Sequence, residues 1–263
     1  MELKEFRHKT ALITGASSGI GKQLACQLAA NGCNLILVAR RSDRLVELKL
    51  DLEKKHSIKV ENITLDLSEL GASQSLFRIV QQKNINVDIL INNAGNGRQL
   101  LFNEIALDEH KNTLDLNITA LTELTHLFST KMIENGLGYI LLVGSVAGFF
   151  PVPNFASYSA SKAYVNSLGT ALNSEVRSQG VNVTVLNPGA TQTEFTEKAG
   201  QKFPQLLEKY FFSQPEDVAA AGLIGLQKRK TQVTPGIANK LTVFLMRFVP
   251  LYFQSHIAKM IFR

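Results

Sequence analysis

The amino-acid sequence predicts an α/β fold with one doubly wound parallel sheet of about seven strands and helices on both faces. Two observations support this prediction. Short apolar runs rich in β-favouring residues alternate with longer segments of helical periodicity along the 263 residues. Strands that alternate with helices form parallel sheets covered on both faces, and 45% hydrophobic residues suffice to cover them. We expect a chain of this length and pattern to form one domain.

Six apolar runs predict the first six strands in chain order. They lie at residues 9–14, 34–39, 59–65, 88–93, 139–144 and 181–187, and a short seventh strand is expected near 232–234. The segments between them predict helices at residues 20–31, 43–55, 71–83, 108–135 and 157–178. Right-handed crossovers between consecutive parallel strands would place these helices on both faces of the sheet.

The net charge of +6 is concentrated in the last part of the chain. Residues 218–263 contain seven bases and no acid, which leaves 21 bases against 22 acids in residues 1–217. A nucleic-acid-binding surface would need basic residues spread across the fold. The near-neutral body therefore argues against that class.

The first residues, the cysteines and the histidines indicate a cytoplasmic protein without a metal site. The first 15 residues contain no apolar stretch of signal-peptide length. Two cysteines, Cys26 and Cys33, provide no disulfide framework, and the five histidines share no metal-ligand spacing.

The turn after the first predicted strand has the composition of a phosphate-binding loop. Residues 14–21 are TGASSGIG, in which Gly15, Gly19 and Gly21 permit a tight turn. Such a turn brings backbone N–H groups close to a pyrophosphate at a helix N-terminus. Its place between a strand and a helix favours a nucleotide.

Two arginines at the end of the second predicted strand bear on which nucleotide binds. A carboxylate there would bind the ribose 2′-hydroxyl of NAD, whereas Arg40 and Arg41 offer forked donors to a 2′-phosphate. We therefore expect NADP in preference to NAD. The alternative is that both arginines face solvent at a helix start.

Tyr158 and Lys162 are spaced to share one face of a predicted helix. Positions i and i+4 lie one above the other, so the ammonium would favour ionisation of the phenol. A cation at about 4 Å contributes about 4 kcal/mol at an effective dielectric of about 20, which lowers a pKa by about three units only in a sheltered site. The pair is a candidate proton-transfer site, and the alternative is a solvated surface pair.

Further motifs accompany these two. They are NNAG at residues 92–95, Ser145 thirteen residues before Tyr158, Asn117 in LDLNITA, Asp66 in TLDLS, and Pro188-Gly189 in LNPGATQT. In these motifs the chain resembles the short-chain dehydrogenase/reductase family over residues 9–193, and more weakly through QPEDVA. The resemblance implies a Rossmann-type fold and an NADP-dependent enzyme that transfers hydride between CH–OH and C=O groups.

The resemblance implies a role for each of four catalytic residues. Tyr158 would protonate the carbonyl oxygen as hydride arrives from the nicotinamide, and Ser145 would hydrogen-bond the same oxygen. Lys162 would hold the nicotinamide ribose and favour the phenolate, and Asn117 would organise a water relay. For each residue taken alone there is an alternative: Ser145 could be only a strand-end cap, and Asn117 could be only a surface residue in mid-helix.

The resemblance also implies the cofactor-binding residues. Asp66 would contact the adenine, and Thr191 and Thr193 would contact the carboxamide and the phosphates. The segment 93–95 would pack beside the ribose. The complete set is Gly15, Ser17, Ser18, Gly19, Ile20, Gly21, Arg40, Arg41, Asp66, Leu67, Asn93, Ala94, Gly95, Tyr158, Lys162, Pro188, Gly189, Thr191 and Thr193.

Two apolar segments are predicted to form the substrate pocket. One follows Ser145 and contains GFFPVPNF, and the other is a lid over residues 193–212. The large apolar residues of the lid are Phe195, Phe203, Leu206, Leu207, Tyr210, Phe211 and Phe212. Such a pocket would favour a hydrophobic carbonyl or alcohol over a sugar. The alternative is that these side chains only pack the lid on the domain.

Residues 237–263 form a basic, amphipathic extension to a catalytic domain of residues 1–236. Pro250 divides the extension into two short predicted helices, which argues against a bilayer span. Four alternatives remain open: peripheral contact with an anionic membrane, covering of the substrate entrance, packing on the chain's own domain, and contact with a partner subunit.

The sequence thus predicts an NADPH-dependent reductase of a hydrophobic carbonyl compound. One alternative is an NADP-dependent alcohol dehydrogenase that works in the oxidative direction, and another is a non-catalytic protein that senses NADPH. The complete set of Ser145, Tyr158, Lys162 and Asn117 argues against the sensor. The resemblance also implies a homo-oligomer, a dimer or tetramer, formed through the helices at 108–135 and 157–178.

Overall fold

The chain forms one seven-stranded, all-parallel sheet. The computed structural model describes residues 3–200 and 212–261. The strand order is β3-β2-β1-β4-β5-β6-β7. The strands are β1 (Thr10–Thr14), β2 (Asn34–Ala39), β3 (Val60–Thr64), β4 (Ile89–Asn92), β5 (Gly138–Val143), β6 (Val181–Leu186) and β7 (Gln232–Val233). The predicted doubly wound sheet is confirmed, including its short seventh strand.

Helices cover both faces of this sheet. They are α1 (Gly19–Ala30), α2 (Ser42–Lys55), α3 (Ala72–Gln82), α4 (Leu107–Leu114), α5 (Leu121–Glu134), α6 (Ala156–Val176), α7 (Glu194–Ala199), α8 (Pro215–Gln227), α9 (Ile237–Met246) and α10 (Leu251–Ile261). One core joins the sheet to α1, α2 and α8, and a second core joins its other face to α3, α5 and α6.

The strands alternate between these two cores. In β1, Ala11 and Ile13 belong to the first core and Leu12 belongs to the second. In β2, Leu35 and Leu37 also belong to the first core. Because successive side chains of a strand point to opposite faces and both faces are covered, these strands are apolar throughout rather than at alternate positions.

The structure differs from the sequence prediction in two helical regions. The predicted helix over 108–135 is interrupted by a π-helical segment, Asp115–Ala120, between α4 and α5. Helix α8 was not predicted, although Pro215 stands at its first position and Glu216 and Asp217 lie in its first turn. These residue types favour a helix N-terminus, so the signal was present in the sequence.

The carboxyl ends of β1 and β4 are joined by side-chain hydrogen bonds. The Thr14 hydroxyl accepts from the backbone N–H groups of Asn93 and Ala94, at 3.0 Å each. The Asn93 amide donates to the Thr14 carbonyl oxygen at 2.9 Å. Strand order reverses at β1 and β4, since β2 lies on one side of β1 and β4 on the other. In open α/β sheets, ligands bind in the crevice at this point.

The C-terminal helices α9 and α10 lie on either side of Pro250. Val243 and Met246 of α9 and Ala258 of α10 are buried in a third apolar cluster, which includes Phe150 and Phe155. One face of the extension therefore packs on the chain's own body. No helix of the described residues has the length and apolar character needed to cross a membrane.

Part of the predicted lid lies outside the described residues. Residues 201–211 are not described, and they include the predicted lid residues Phe203, Leu206, Leu207, Tyr210 and Phe211. The lid segment from Thr193 to Gly200, which contains α7, is described.

Candidate active site

A cleft of about 420 Å³ opens at the carboxyl ends of the strands. Nearly all of the predicted site residues line it; the two exceptions are Gly21 and Asn117. Both exceptions are buried behind the wall of the cleft. Residues that are distant in sequence, from the turn after β1 to the loop after β6, therefore meet in one place.

The glycine turn after β1 leaves no room for side chains. Gly15 and Gly19 have φ angles of +66° and +54°, which favour glycine. A Cβ atom at Gly21 would lie 2.3 Å from the Gly15 carbonyl oxygen and 2.4 Å from the Asn93 amide nitrogen. The turn can therefore pack against β4 and begin α1 only with glycine at these positions. The N-terminus of α1 faces the cleft through Ser18 and Gly19.

Arg41 joins the glycine turn to α7 by side-chain hydrogen bonds. One guanidinium nitrogen donates to the Ser17 and Ser18 hydroxyls at 3.1 and 3.0 Å, and the other donates to Glu194 of α7 at 2.7 Å. Arg44 also pairs with Glu194. Hydrogen bonds from Arg44 and Arg41 lower the pKa of the Glu194 carboxyl to about 2. The sequence did not single out Glu194.

Arg40 is placed differently from Arg41. Its side chain is 61% exposed and pairs with the Asp66 carboxylate at 3.3 Å. Asp66 also accepts from the backbone N–H and the hydroxyl of Ser68, at 3.0 and 2.7 Å. Burial alone would raise the pKa of Asp66, but the hydrogen bonds from Ser68 and Arg40 lower it overall. Arg41 lines the cleft and is held there by side-chain hydrogen bonds, so the alternative that it only faces solvent is wrong. Arg40 also lines the cleft, but most of its side chain is exposed.

Tyr158 and Ser145 both line the cleft. The Ser145 hydroxyl accepts from the backbone N–H of Ala147 at 3.1 Å, so it caps the short turn after β5 as well as lining the cleft. Burial raises the pKa of Tyr158 to about 12, and a hydrogen bond with the Ser145 side chain acts in the opposite direction. The phenol therefore keeps its proton at neutral pH.

Lys162 is buried and does not lower the tyrosine pKa as expected. Its Nζ lies over the Tyr158 ring, 5.7 Å from the centroid, and donates to the Val143 carbonyl oxygen at 2.7 Å. Burial lowers the pKa of Lys162 to about 8. The pKa of Tyr158 is raised in this structure and not lowered as expected, because desolvation of the phenol is the largest influence on it. The alternative of a solvated surface pair is also wrong.

Asn117 lies inside the protein within the π-helical segment. Its amide nitrogen donates to the Asn96 carbonyl oxygen at 2.9 Å and to the Ser161 hydroxyl at 3.0 Å. Its amide oxygen accepts from the backbone N–H of Asn96 at 3.0 Å. The alternative of a mid-helix surface residue is therefore wrong. A π-helical turn at a functional position is a recurrent arrangement, because it turns a side chain away from the regular helix face.

Aromatic side chains form the other side of the cleft. The Phe155 ring stacks on Tyr158 with centroids 4.2 Å apart, and Phe195 lies 5.3 Å from Tyr158. Gly97 fits against the first two rings, since a Cβ there would lie 2.7 Å from Tyr158 and 2.9 Å from Phe155. Asn239 and other residues of α9 reach the same cleft.

The sequence reasoning missed several of these wall residues. They are Gly97, Glu194, Asn239 and Thr242. Gly97 stands two residues after NNAG and Glu194 follows Thr193, so both lay close to residues that were identified, and Phe155 belongs to the predicted pocket segment GFFPVPNF. For Asn239 and Thr242 no local signal existed, because their place in the wall depends on how α9 packs.

The chain belongs to the short-chain dehydrogenase family. The model of that family, described as short chain dehydrogenase, matches residues 9–203, which is more than half of the chain. The seven-stranded fold and the convergence of the motif residues in one cleft agree with this membership. The protein is therefore an oxidoreductase of a family that acts on alcohol and carbonyl groups with a nicotinamide cofactor.

Characterised relatives and solved structures are similar to this chain. A very-long-chain 3-oxoacyl-CoA reductase of Meyerozyma guilliermondii is 35% identical over 188 residues, which cover 68% of this chain and 55% of that protein. This chain thus spans about half the length of the fungal relative. A short-chain dehydrogenase from Sphingobium yanoikuyae in complex with NADPH has a TM-score of 0.81 and 30% identity, covering 92% of this chain and 96% of that one.

A third similar protein is the bulky-bulky ketone specific alcohol dehydrogenase from Comamonas testosteroni, with a TM-score of 0.77 and 29% identity. The similarity covers 92% of this chain and 95% of that structure.

Proposed function

We propose that this protein is an NADPH-dependent reductase of a hydrophobic ketone or aldehyde, with Tyr158 as the proton donor. The observation that carries this proposal is that Tyr158, Ser145 and Lys162 line one cleft together with a glycine turn suited to phosphates and a set of aromatic rings. A carbonyl group beside Tyr158 would lie between the two halves of this cleft.

The residues of the cleft fit a nicotinamide dinucleotide. The glycine turn holds its backbone close to α1 and β4, and a Cβ at Gly19 would meet the Thr193 side chain at 3.0 Å. A bound cofactor would supply the hydride. Ser17, Ser18 and the N-terminus of α1 would hold its phosphates, and Thr193 would close over them from the loop after β6.

Tyr158 carries the proton that reduction of a carbonyl needs. Its pKa lies well above neutral pH, so the phenol is protonated there and can give its proton to the carbonyl oxygen. The Ser145 hydroxyl would donate a hydrogen bond to the same oxygen as its negative charge develops. The same residues can serve oxidation of an alcohol, in which Tyr158 would accept a proton, so they do not set the direction.

Lys162 and Asn117 would assist Tyr158, the proton donor. A Cβ at Gly95 would lie 3.1 Å from the Asn117 amide oxygen and 3.4 Å from Lys162 Nζ, so both side chains converge on the NNAG backbone. Lys162 would hold the nicotinamide ribose, and Asn117 would hold the relay that returns a proton to Tyr158. Their shared burial, with Lys162 4% exposed, favours an active role over a surface pair.

NADP is the cofactor that the arginines favour. Arg41 and the hydroxyls of Ser17 and Ser18 form a cluster of hydrogen-bond donors at the cleft wall, with Arg40 beside it. Such a cluster suits the dianionic 2′-phosphate, whereas the ribose hydroxyl of NAD would be recognised by a carboxylate. The similar dehydrogenase from Sphingobium yanoikuyae was solved with NADPH.

The aromatic side of the cleft favours a large, apolar substrate. Phe150, Phe155 and Phe195 provide wall area that would leave the hydroxyls of a sugar without partners. Two similar proteins are named for a very-long-chain 3-oxoacyl-CoA and for bulky ketones, whereas two others are named for sulfoacetaldehyde and L-sorbose, so the inference rests on the aromatic wall. We infer that the substrate class of this chain is a hydrophobic carbonyl compound of comparable bulk.

The experiment that tests this function measures oxidation of NADPH and NADH against ketones and aldehydes graded from short and polar to long and apolar. We expect turnover to prefer NADPH and kcat/KM to rise with apolar size. A flat size profile would contradict the apolar pocket. Tight NADPH binding without turnover of any member of the panel would favour a cofactor sensor instead.

A further inference from the structure

The outer face of the C-terminal helices is apolar and exposed. Nine large hydrophobic side chains of α9, α10 and the turn between them lie at the surface. They are Ile237, Leu241, Phe244, Leu245, Phe248, Leu251, Tyr252, Phe253 and Ile257. Four of the five in α9 and the turn repeat at the spacing of one helix face, from Leu241 to Phe248. We call these nine residues the apolar face.

This apolar face lies opposite a face that is already buried. Val243 and Met246 of α9 and Ala258 of α10 pack into the cluster that contains Phe150. The two helices are thus apolar on both sides. Helices of this kind are normally covered all round, and a contiguous exposed apolar patch marks an interaction site. Phe248 and Leu251, on either side of Pro250 in the turn region, are each about 70% exposed.

The charged residues of α9, α10 and the turn between them are all basic. Lys240, Arg247 and Lys259 are exposed among the hydrophobic residues, and residues 218–263 contain no acid. A symmetric contact with a second copy would bring these bases against the same bases, which repel. An anionic lipid surface instead offers apolar chains to the hydrophobic residues and negative headgroups to the bases.

The lengths of the helices suit a position on a membrane and not a path through it. Helix α9 has 10 residues and α10 has 11, so each is roughly 15 Å long. The hydrocarbon core of a bilayer is about 30 Å thick. Short helices with an exposed apolar face and basic residues beside it can lie in the plane of the interface.

We propose that α9 and α10 dock the protein on an anionic membrane surface through the apolar face. The inner side of α9 lines the cleft with Asn239 and Thr242, so docking would hold the cleft beside the lipid. An apolar carbonyl compound dissolved in the bilayer would then reach the site without crossing water. This last consequence rests on the proposed function, whereas the docking itself does not.

Vesicle flotation of the full chain tests the docking. The probes are vesicles of phosphatidylcholine alone and of phosphatidylcholine with about one third phosphatidylserine. One variant carries Phe244→Ser, Phe248→Ser and Leu251→Ser. A second carries Lys240→Gln, Arg247→Gln and Lys259→Gln. The matched control places three serines at exposed leucines on other elements, with Leu50→Ser, Leu70→Ser and Leu107→Ser.

The wild type and the control should float with the anionic vesicles and not with the neutral ones. The serine variant should lose binding. At about 1 kcal/mol per base near the surface, the glutamine variant should partition roughly 100-fold more weakly. NADPH binding and thermal unfolding, measured on the same preparations, show that every variant is folded and separate a failure of docking from a failure of catalysis.

Three results would overturn the proposal. The first is absence of flotation with either vesicle. The second is equal flotation with the neutral and the anionic vesicles, which would show that the bases play no part in docking. The third is a wild-type dimer in solution that the serine variant converts to monomer while no vesicle captures it, because the apolar face would then be a subunit interface.

Discussion

Arg41 and Glu194 form an ion pair across the mouth of the cleft, with guanidinium nitrogen and carboxylate oxygen 2.7 Å apart. They are separated by 153 residues in the chain, and they join the start of α2 to α7 beyond β6. Arg44 pairs with the same carboxylate. Arg41, which we propose as a ligand of the 2′-phosphate, thus also binds Glu194, an acid of the lid segment.

The first prediction concerns cofactor selectivity. A 2′-phosphate must share Arg41 with the Glu194 carboxylate, and the two anions repel. Glu194→Gln removes that repulsion, which is worth roughly 1 kcal/mol at such distances. The dissociation constant for NADPH should fall about fivefold, while that for NADH stays within about twofold. Both are measured by titration of the purified protein.

Glu197→Gln is the matched control for this variant. Glu197 lies on the same helix, is exposed, and undergoes the same change of charge. It should leave both constants unchanged. An equal gain for NADPH and NADH in Glu194→Gln would show that Glu194 acts on the shared phosphates and not on the 2′-phosphate.

The second prediction concerns stability in acid. Arg44 and Arg41 lower the pKa of Glu194 to about 2, below its usual value of about 4.5. A carboxylate with a lowered pKa stabilises the fold above its unfolded pKa, and this contribution is lost as the pH falls through the folded pKa. The melting temperature of the wild type minus that of Glu194→Gln should therefore shrink between about pH 6 and about pH 3. A constant difference would contradict the ion pair.

The third prediction concerns stability in base. Burial lowers the pKa of Lys162 to about 8 from 10.5, so the charged lysine opposes folding, and this penalty is relieved as the pH rises from about 8 towards 10.5. The melting temperature of the wild type minus that of Lys162→Met should increase from about pH 7 to about pH 10. Lys54→Met, at an exposed lysine of α2, should show no such trend. If Lys162→Met and Lys54→Met gave the same trend, the burial of Lys162 would not be its cause.

The fourth prediction concerns Gly97, which fits against Tyr158. An added methyl group would lie 2.7 Å from the Tyr158 ring, so Gly97→Ala must displace the ring. A displacement of about 1 Å costs on the order of 100-fold in rate. We expect kcat to fall by about that factor with NADPH affinity unchanged.

Gly71→Ala provides the comparison for Gly97→Ala. Nothing lies within 4 Å of its added methyl group, although φ is +77° there. This variant should lose some stability from backbone strain but keep its kcat. Equal kcat values in Gly97→Ala and the wild type would show that the position of the Tyr158 ring is not critical.

The fold could be predicted from the sequence because its signals are local. The strands β5 and β6 are buried along their whole length, and this burial produces the continuous apolar runs that identified them. The π-helical interruption at 115–120 could not be predicted, since LDLNITA is compatible with a regular helix. Helix α8 was overlooked because the run AAAGLIGL lacks a polar face, although its N-terminal residues carried a signal.

The residues of the candidate site also divide into those that a local sequence motif predicts and those that no local motif predicts. Motifs confined to a few neighbouring residues, such as the glycine turn and the Tyr158 to Lys162 spacing, were visible in the sequence. Glu194 and Asn239 reach the cleft only through contacts between distant segments, so no local pattern marks them. The pKa of Tyr158 was predicted in the wrong direction because the degree of burial, which decides it here, follows from packing.

Replacement of Tyr158 by phenylalanine tests the central claim most directly. NADPH oxidation with the best carbonyl substrate is measured for the wild type, Tyr158→Phe and Tyr164→Phe, the last being the same change on the same helix α6 at a hydroxyl that bonds Thr122. We predict that Tyr158→Phe loses roughly 10²- to 10⁴-fold in kcat while NADPH affinity stays within about threefold, and that Tyr164→Phe resembles the wild type. If Tyr158→Phe kept more than about a tenth of the activity, Tyr158 would not be the proton donor.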